Sequence, residues 1–235
     1  MEVTSHNIAN VSTPGYSRQT VLLGTPIPED VTPGQVGRGV DAMAITRQRD
    51  DFISAQTRRS ATEEGRLKQL TTTLGALEGV FNEPGDSGLS ASVSRMFGAF
   101  QDLATNPESV GMRRAVVEEM RSFASTLNGM AEGLQGLHED VRGEFDITVK
   151  RINQIFSEIA DLNDSIEGSV VTGNNPNDLL DQRDRLLEEA SGYLDLRVRI
   201  DPRTQVAYVE AGGRLLVDAS GSVPLVAGTS NDRLA

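Results

Sequence analysis

The spacing of apolar residues predicts a protein built mainly from long helices. Between about residues 108 and 167, apolar side chains recur in alternating steps of three and four. This heptad spacing keeps one stripe of a helix against a partner helix, which is by default a helix of the same chain, with another chain as the alternative. We expect the following positions to form a helix core: Val116, Met120, Phe123, Leu127, Met130, Leu134, Leu137, Val141, Ile152, Phe156 and Ile159.

Three further helices are predicted by the same periodicity. One runs from about residue 46 to 82, and a second runs from about 89 to 105 and stops at Asn106-Pro107. A shorter amphipathic helix follows the Gly-Asn-Asn-Pro sequence at 173–176. Proline and glycine interrupt helices, so they mark the ends of these segments.

Short strands are predicted on both sides of the helices. Residues 16–23 are rich in Val, Leu, Thr and Tyr, within a stretch of extended chain and turns that reaches about residue 45. After residue 193, alternating runs separated by Asp201-Pro202, Gly212-Gly213 and Gly221 predict a β-meander. No closing helix follows, so we expect the β domain to be truncated.

These elements give an α+β fold, mainly α with a β-rich distal part. We predict a long antiparallel helical bundle or coiled-coil rod, followed by a truncated β domain. The expected domains are an extended segment with turns at 1–45, the long helical bundle at 46–193, and the start of a β-rich domain at 194–235.

Charge and composition exclude several classes of partner and chemistry. The net charge is −12 and no basic run offsets it, so binding to nucleic acid or to an anionic membrane is not expected. The chain has no cysteine, which removes disulfides and thiolate chemistry. The sequence shows neither a Sec-type signal nor 18 consecutive apolar residues.

Candidate catalytic residues are scarce. His6 and His138 are the two histidines, and the sequence after His138 lacks the second histidine of a zinc-protease motif. No serine lies in a Gly-x-Ser-x-Gly elbow, and the glycines at 34–39 lack a following Lys-Ser/Thr pair. We therefore predict no catalytic, cofactor-binding or metal-binding residue.

Three aspartates recur at helical spacing, at Asp178, Asp181 and Asp184. Because Arg183 and Arg185 alternate with them, the expected explanation is a solvated helix face rather than a cation site.

The segment at residues 6–19, HNIANVSTPGYSRQ, carries a known motif. Its first half resembles the N-terminal signature of flagellar axial proteins, and its PGYSRQ ending resembles the hook-associated protein 1 family of hook-filament junction proteins. Two more segments resemble motifs of that family in the same order, AFQDLATNP at 99–107 and NPNDLLDQRD at 175–184.

This resemblance implies a structural subunit of the bacterial flagellum that joins hook to filament and assembles into the axial tube without catalysis or cofactor. Its implied partners are copies of itself in a ring, the hook protein and the second junction protein. It also implies an extracellular location, reached through the flagellar secretion apparatus, with the β domain facing outward. Family members extend beyond both ends, so a central fragment that is monomeric in solution is expected.

The resemblance also implies which residues make axial contacts. They are Asn7, Ile8, Asn10, Pro14, Gly15, Tyr16, Ser17, Arg18 and Gln19. Two alternatives stay open at this point: another axial protein, such as a hook or rod subunit, and a hydrolase or metal-binding domain hidden in the truncated β region.

Overall fold

The computed structural model describes residues 2–32, 34–81 and 88–228. The described residues are 61% helical, with a small antiparallel sheet towards the C-terminal end, which confirms the predicted fold class. The helices are α1 (Glu2–Ala9), α2 (Asp51–Phe81), α3 (Leu89–Thr105), α4 (Val110–Val171) and α5 (Asn177–Ser191). The strands are β1 (Gln19–Gly24), β2 (Glu29–Val31), β3 (Gly34–Val36), β4 (Asp41–Arg47), β5 (Leu196–Ile200), β6 (Ala207–Ala211), β7 (Arg214–Asp218) and β8 (Gly221–Ser222).

The chain divides into two compact units. One comprises Met1–Arg66 with Thr148–Ala235, and the other comprises Leu67–Ile147. None of the helices within the described ranges combines the length and the apolar character needed to cross a bilayer.

Helix α4 is 62 residues long and ends at the predicted Gly-Asn-Asn-Pro sequence. Gly173 adopts a φ of 81°, in the left-handed region that glycine enters without steric cost. Its amide donates to the carbonyl of Val170 at 2.9 Å, and the Asn174 amide donates to Ser169 at 3.0 Å. This is the Schellman arrangement, which satisfies carbonyl groups at a helix C-terminus.

In the Leu67–Ile147 unit, α2 and α4 run antiparallel. The Gln69 amide donates to Glu144 at 3.2 Å, and Gly133 lies against the side chain of Val80. The predicted stripe is unevenly buried here, with Val116 and Met130 buried, Phe123 and Leu137 half-buried, and Met120, Leu127, Leu134 and Val141 exposed. That the exposed members of the stripe form part of a helix core stays a prediction.

The hydrophobic core of the other unit lies between the end of α4, helix α5 and the four-stranded sheet in the order β5-β6-β7-β8. The stripe positions Ile152, Phe156 and Ile159 are buried in it, at the spacing that places them on one helix face. Leu187 from α5 and Val209 from β6 complete its centre with no exposed surface.

The first 45 residues contain a helix, although their sequence predicts only extended chain, turns and short strands. Helix α1 occupies Glu2–Ala9, where no proline or glycine interrupts the chain and where an acidic residue in the first turn complements the helix dipole. The breakers begin only at Pro14-Gly15.

After these breakers, β1 and β4 pair antiparallel with an irregularity between Leu22 and Leu23, and β2 pairs with β3. Helix α2 then begins at Asp51 rather than near residue 46, because β4 extends to Arg47. The Asp50 side chain accepts hydrogen bonds from the amides of Phe52 and Ile53, at 2.8 and 3.2 Å. These bonds satisfy amides of the first helical turn.

Candidate functional site

Two of the sequence motifs meet in space, although they lie more than 150 residues apart. The segment at 6–19, hereafter the signature, packs on helix α5, which carries the 175–184 motif. The Ser17 amide donates to Asp181 Oδ2 at 2.9 Å, and Gln19 Nε2 donates to Asp178 Oδ1 at 3.0 Å. The start of α5 therefore forms the surface on which the signature rests.

Asn7 joins the beginning of the signature to its end. Its Nδ2 donates to the Gln19 carbonyl at 2.8 Å, and its Oδ1 accepts from the Gln19 amide at 2.9 Å. The Tyr16 hydroxyl donates to the same Oδ1 at 2.7 Å. An asparagine side chain offers both a donor and an acceptor, which this paired contact with one backbone residue requires.

The turn between α1 and β1 depends on Gly15. Its φ of 77° lies in the left-handed region, and an added Cβ would approach the Arg185 Cβ on α5 to 3.3 Å. Burial raises the pKa of the neighbouring Tyr16 phenol, as do the carboxylates of Asp178 and Asp181. Tyr16 therefore stays protonated and able to donate its hydroxyl hydrogen.

Asp181 and Asp184 do not lie on a solvated face, so that expectation is wrong. They are 7% and 4% exposed, and they point towards the end of β4. Arg47 binds both carboxylates, with Nη1 at 3.1 Å from Asp181, and Arg49 Nη1 lies 3.1 Å from Asp184. Buried carboxylates need such partners because desolvation would otherwise be costly. Asp178 alone of the three aspartates is exposed, with 62% of its side chain accessible.

Arg183 extends from α5 towards the four-stranded sheet. It is fully buried, and burial lowers the pKa of its guanidinium to about 10. Its Nη1 donates to the Gln205 carbonyl and, at 3.2 Å, to Asn163 Oδ1. Asn163 also exchanges two hydrogen bonds of 2.9 Å with the backbone of Ala207. Helix α5 is thus joined by polar contacts to both the signature and the sheet.

The structure divides the predicted axial residues into two groups. Asn7, Tyr16, Ser17 and Gln19 hydrogen-bond within the chain, and Asn10 donates to the His6 carbonyl at 3.1 Å. The other predicted residues are exposed: Ile8, Pro14, Gly15 and Arg18. Ile8 exposes 68% of its surface.

The ion pairs of Arg47 and Arg49 were not foreseen from the sequence. A signal was present, since the two arginines alternate at the end of a strand-like run and the aspartates share a helix face with buried leucines. Opposite charges on two amphipathic faces are consistent with a buried network as well as with a solvated surface. In the described ranges, no group of three or more His, Cys, Asp or Glu side chains is arranged to hold a metal ion.

Comparisons with known proteins find the same family that the motifs resemble. Residues 74–235 match the family described as the flagellar hook-associated protein FlgK helical domain. Flagellar hook-associated protein 1 of Bacillus subtilis is 31% identical over 232 residues, covering 96% of this chain and 44% of that protein. The Salmonella typhimurium protein of the same name is 28% identical over 229 residues, covering 97% of this chain and 41% of that protein.

A solved structure has a similar fold. It is that of the flagellar hook junction protein FlgK from Burkholderia pseudomallei, with a TM-score of 0.60 and 24% identity, covering 72% of this chain and 30% of that one. The chain spans less than half the length of the curated relatives named above. Because the family match covers well over half of the chain, we conclude that this protein belongs to the flagellar hook-associated protein FlgK family.

Proposed function

We propose that the chain is part of a structural subunit that joins the hook to the filament of the bacterial flagellum. Family membership supports this role, as do the names of the relatives. The observation that carries it is the division of the signature. Ser17 and Gln19 bond to α5, and Asn7 and Tyr16 hold the segment together, while exposed residues beside them can contact other subunits.

The partners in this proposal are copies of the same protein in a ring, the hook protein and the second junction protein. The outward residues Ile8, Pro14, Gly15 and Arg18 would make axial contacts. The paired strands β1 and β4 also expose apolar side chains, such as Leu23 and Met43. Large exposed apolar patches often mark protein interfaces. Many weak lateral contacts around a ring would transmit torque without catalysis.

The predicted domains have corresponding roles in this proposal. Residues 46–193 would serve as the helical layer around the axis, and the sheet after residue 193 would face outward. Export would use the flagellar secretion apparatus, which places the protein outside the cell.

Deletion of the gene in the bacterium that encodes it tests the proposal. We expect cells with normal hooks, without stable filaments, that release flagellin into the medium, and we expect the intact gene to restore filaments. Normal filaments in the deletion strain would contradict the proposed junction role.

A further inference from the structure

The hydrogen-bond donors and acceptors around Asn7 are fixed by the backbone of Gln19. A backbone amide can only donate and a carbonyl can only accept, so Asn7 must present Oδ1 to the Gln19 amide and Nδ2 to its carbonyl. The Tyr16 hydroxyl, 2.7 Å from Oδ1, must therefore donate its hydrogen to that oxygen.

This assignment determines which ring nitrogen of His6 carries a proton. Its Nδ1 lies 3.0 Å from the Tyr16 oxygen, whose hydrogen is already committed to Asn7. The oxygen can only accept, so Nδ1 must carry a proton. In a neutral imidazole the other nitrogen then has none, and this bare Nε2 lies 3.8 Å from Asp178 Oδ2. Protonation of the ring replaces an unfavourable approach of two acceptors with an ion pair.

We propose that protonation of His6 closes a pH-sensitive latch between helix α1 and helix α5. Histidine is the side chain whose charge ordinarily changes between pH 5 and 8. In the charged form both ring nitrogens donate, Nδ1 to Tyr16 and Nε2 towards Asp178. The latch is closed at low pH and weakens as the imidazole loses its proton.

Charged groups of both signs lie around His6. Glu2 lies one turn earlier on α1, and Asp178, Asp181 and Arg185 from α5 line the cavity of about 260 Å³ that His6 also lines. The Asp181 carboxylate is paired with Arg47. The Tyr16 phenol, the titratable group from the connecting turn, stays neutral because its pKa is raised.

The latch bears on assembly only if the proposed function holds, because the exposed Ile8 and Arg18 are carried by the segment that it fixes. Their orientation would then depend on the pH outside the cell. The latch itself is a property of the single chain. The latch can be tested without an assembled flagellum. If the latch is absent, the junction role can still hold, and if the junction role is wrong, the latch can still exist.

The first measurement is the tautomer of each histidine in the chain at pH 8, from long-range ¹H–¹⁵N correlation spectra. The two histidines give two sets of ring signals, and the exposed His138 on α4 serves as the internal reference. We expect His6 to be the Nδ1–H tautomer. A proton on Nε2 of neutral His6 would overturn the proposal.

The second measurement is the hydrogen-exchange protection of the Gln19 amide, corrected for the intrinsic effect of pH. We expect about two- to fivefold greater protection at pH 5 than at pH 8, the range for an ion pair of this exposure. Asp178→Asn keeps an oxygen for Gln19 Nε2 but removes the charge, so it should abolish the difference. Asp161→Asn, at an exposed carboxylate on α4, should retain it. Equal protection at both pH values, or a difference that persists in Asp178→Asn, would overturn the latch.

Discussion

Gly65 of helix α2 touches the carbonyl oxygen of Gly192, just beyond the end of α5, so closely that a Cβ atom at residue 65 would overlap that oxygen. The neighbouring Thr62 hydroxyl donates to the Ser191 carbonyl at 2.8 Å. Helix α2 therefore meets the end of α5 backbone to backbone, and a glycine in the middle of a helix is required here by packing rather than by backbone conformation.

We expect Gly65→Ala to destabilise the protein by about 1–3 kcal/mol or more, because the overlapped atom belongs to the backbone and cannot rotate away. Gly75 lies in the same helix with open space at its Cβ position. Gly75→Ala should therefore stabilise the protein by about 0.5–1 kcal/mol, the usual gain for this change inside a helix. Thermal unfolding followed by circular dichroism measures both, and equal effects of the two changes would contradict the close contact.

The buried ion pairs at Asp184 predict a large effect of charge removal. Asp184→Asn leaves Arg47 and Arg49 without this carboxylate in a site where the aspartate is 4% exposed. A loss of about 3–5 kcal/mol is expected, because the remaining charges stay desolvated.

Asp178→Asn is the matched control for Asp184→Asn on the same helix. Its carboxylate is largely exposed, so at pH 8, where the latch is open, the change in the free energy of unfolding should stay within about 0.5 kcal/mol. Urea unfolding of the two variants compares them. If Asp184→Asn unfolds at the urea concentration of the unchanged protein, the ion pairs do not stabilise the site.

Two leucines on different helices test which parts of the fold are core in the single chain. Leu187 of α5 has no exposed surface, and Leu187→Ala should cost about 2–5 kcal/mol. Leu127 of α4, a stripe position, is 41% exposed, and Leu127→Ala should cost well under half of that amount. Melting temperatures of the two variants decide this, and a similar loss at Leu127 would show that its exposed surface is covered in solution.

Much of the fold follows from the sequence because apolar periodicity over many turns is a strong signal. The long stripe predicts α4 to within four residues at each end, and its glycine stop is read correctly. The β-meander is likewise marked by its turn residues at 201–202 and 212–213, and β5 to β8 appear in the predicted region. Gly221, predicted as a turn, instead begins β8. These elements are determined locally, by spacing and by breakers.

The remainder depends on contacts that local sequence does not contain. Helix α1 has little amphipathic pattern, and it is held by Asn7 and by α5, which lies more than 150 residues away in the chain. The burial of Asp184 depends on Arg47 and Arg49 from a distant strand end. On an isolated helix the carboxylates of Asp181 and Asp184 would be solvated, so helical spacing alone cannot reveal their pairing with the arginines.

We propose that the signature faces two ways, with Asn7 holding the chain and with Ile8 and Arg18 contacting other subunits. The most direct measurement compares the Ile8→Ala, Arg18→Ala double variant of the full-length protein with Asn7→Ala, recording the melting temperature and the amount of protein retained at hook tips.

For the double variant we expect an unchanged melting temperature, since exposed substitutions usually shift stability by about 0.5 kcal/mol or less, together with loss of the protein from hook tips. Asn7→Ala should lower the melting temperature, because it leaves the Gln19 backbone and the Tyr16 hydroxyl without a partner. Normal retention of the double variant at hook tips, with normal filaments, would show that Ile8 and Arg18 do not make these contacts.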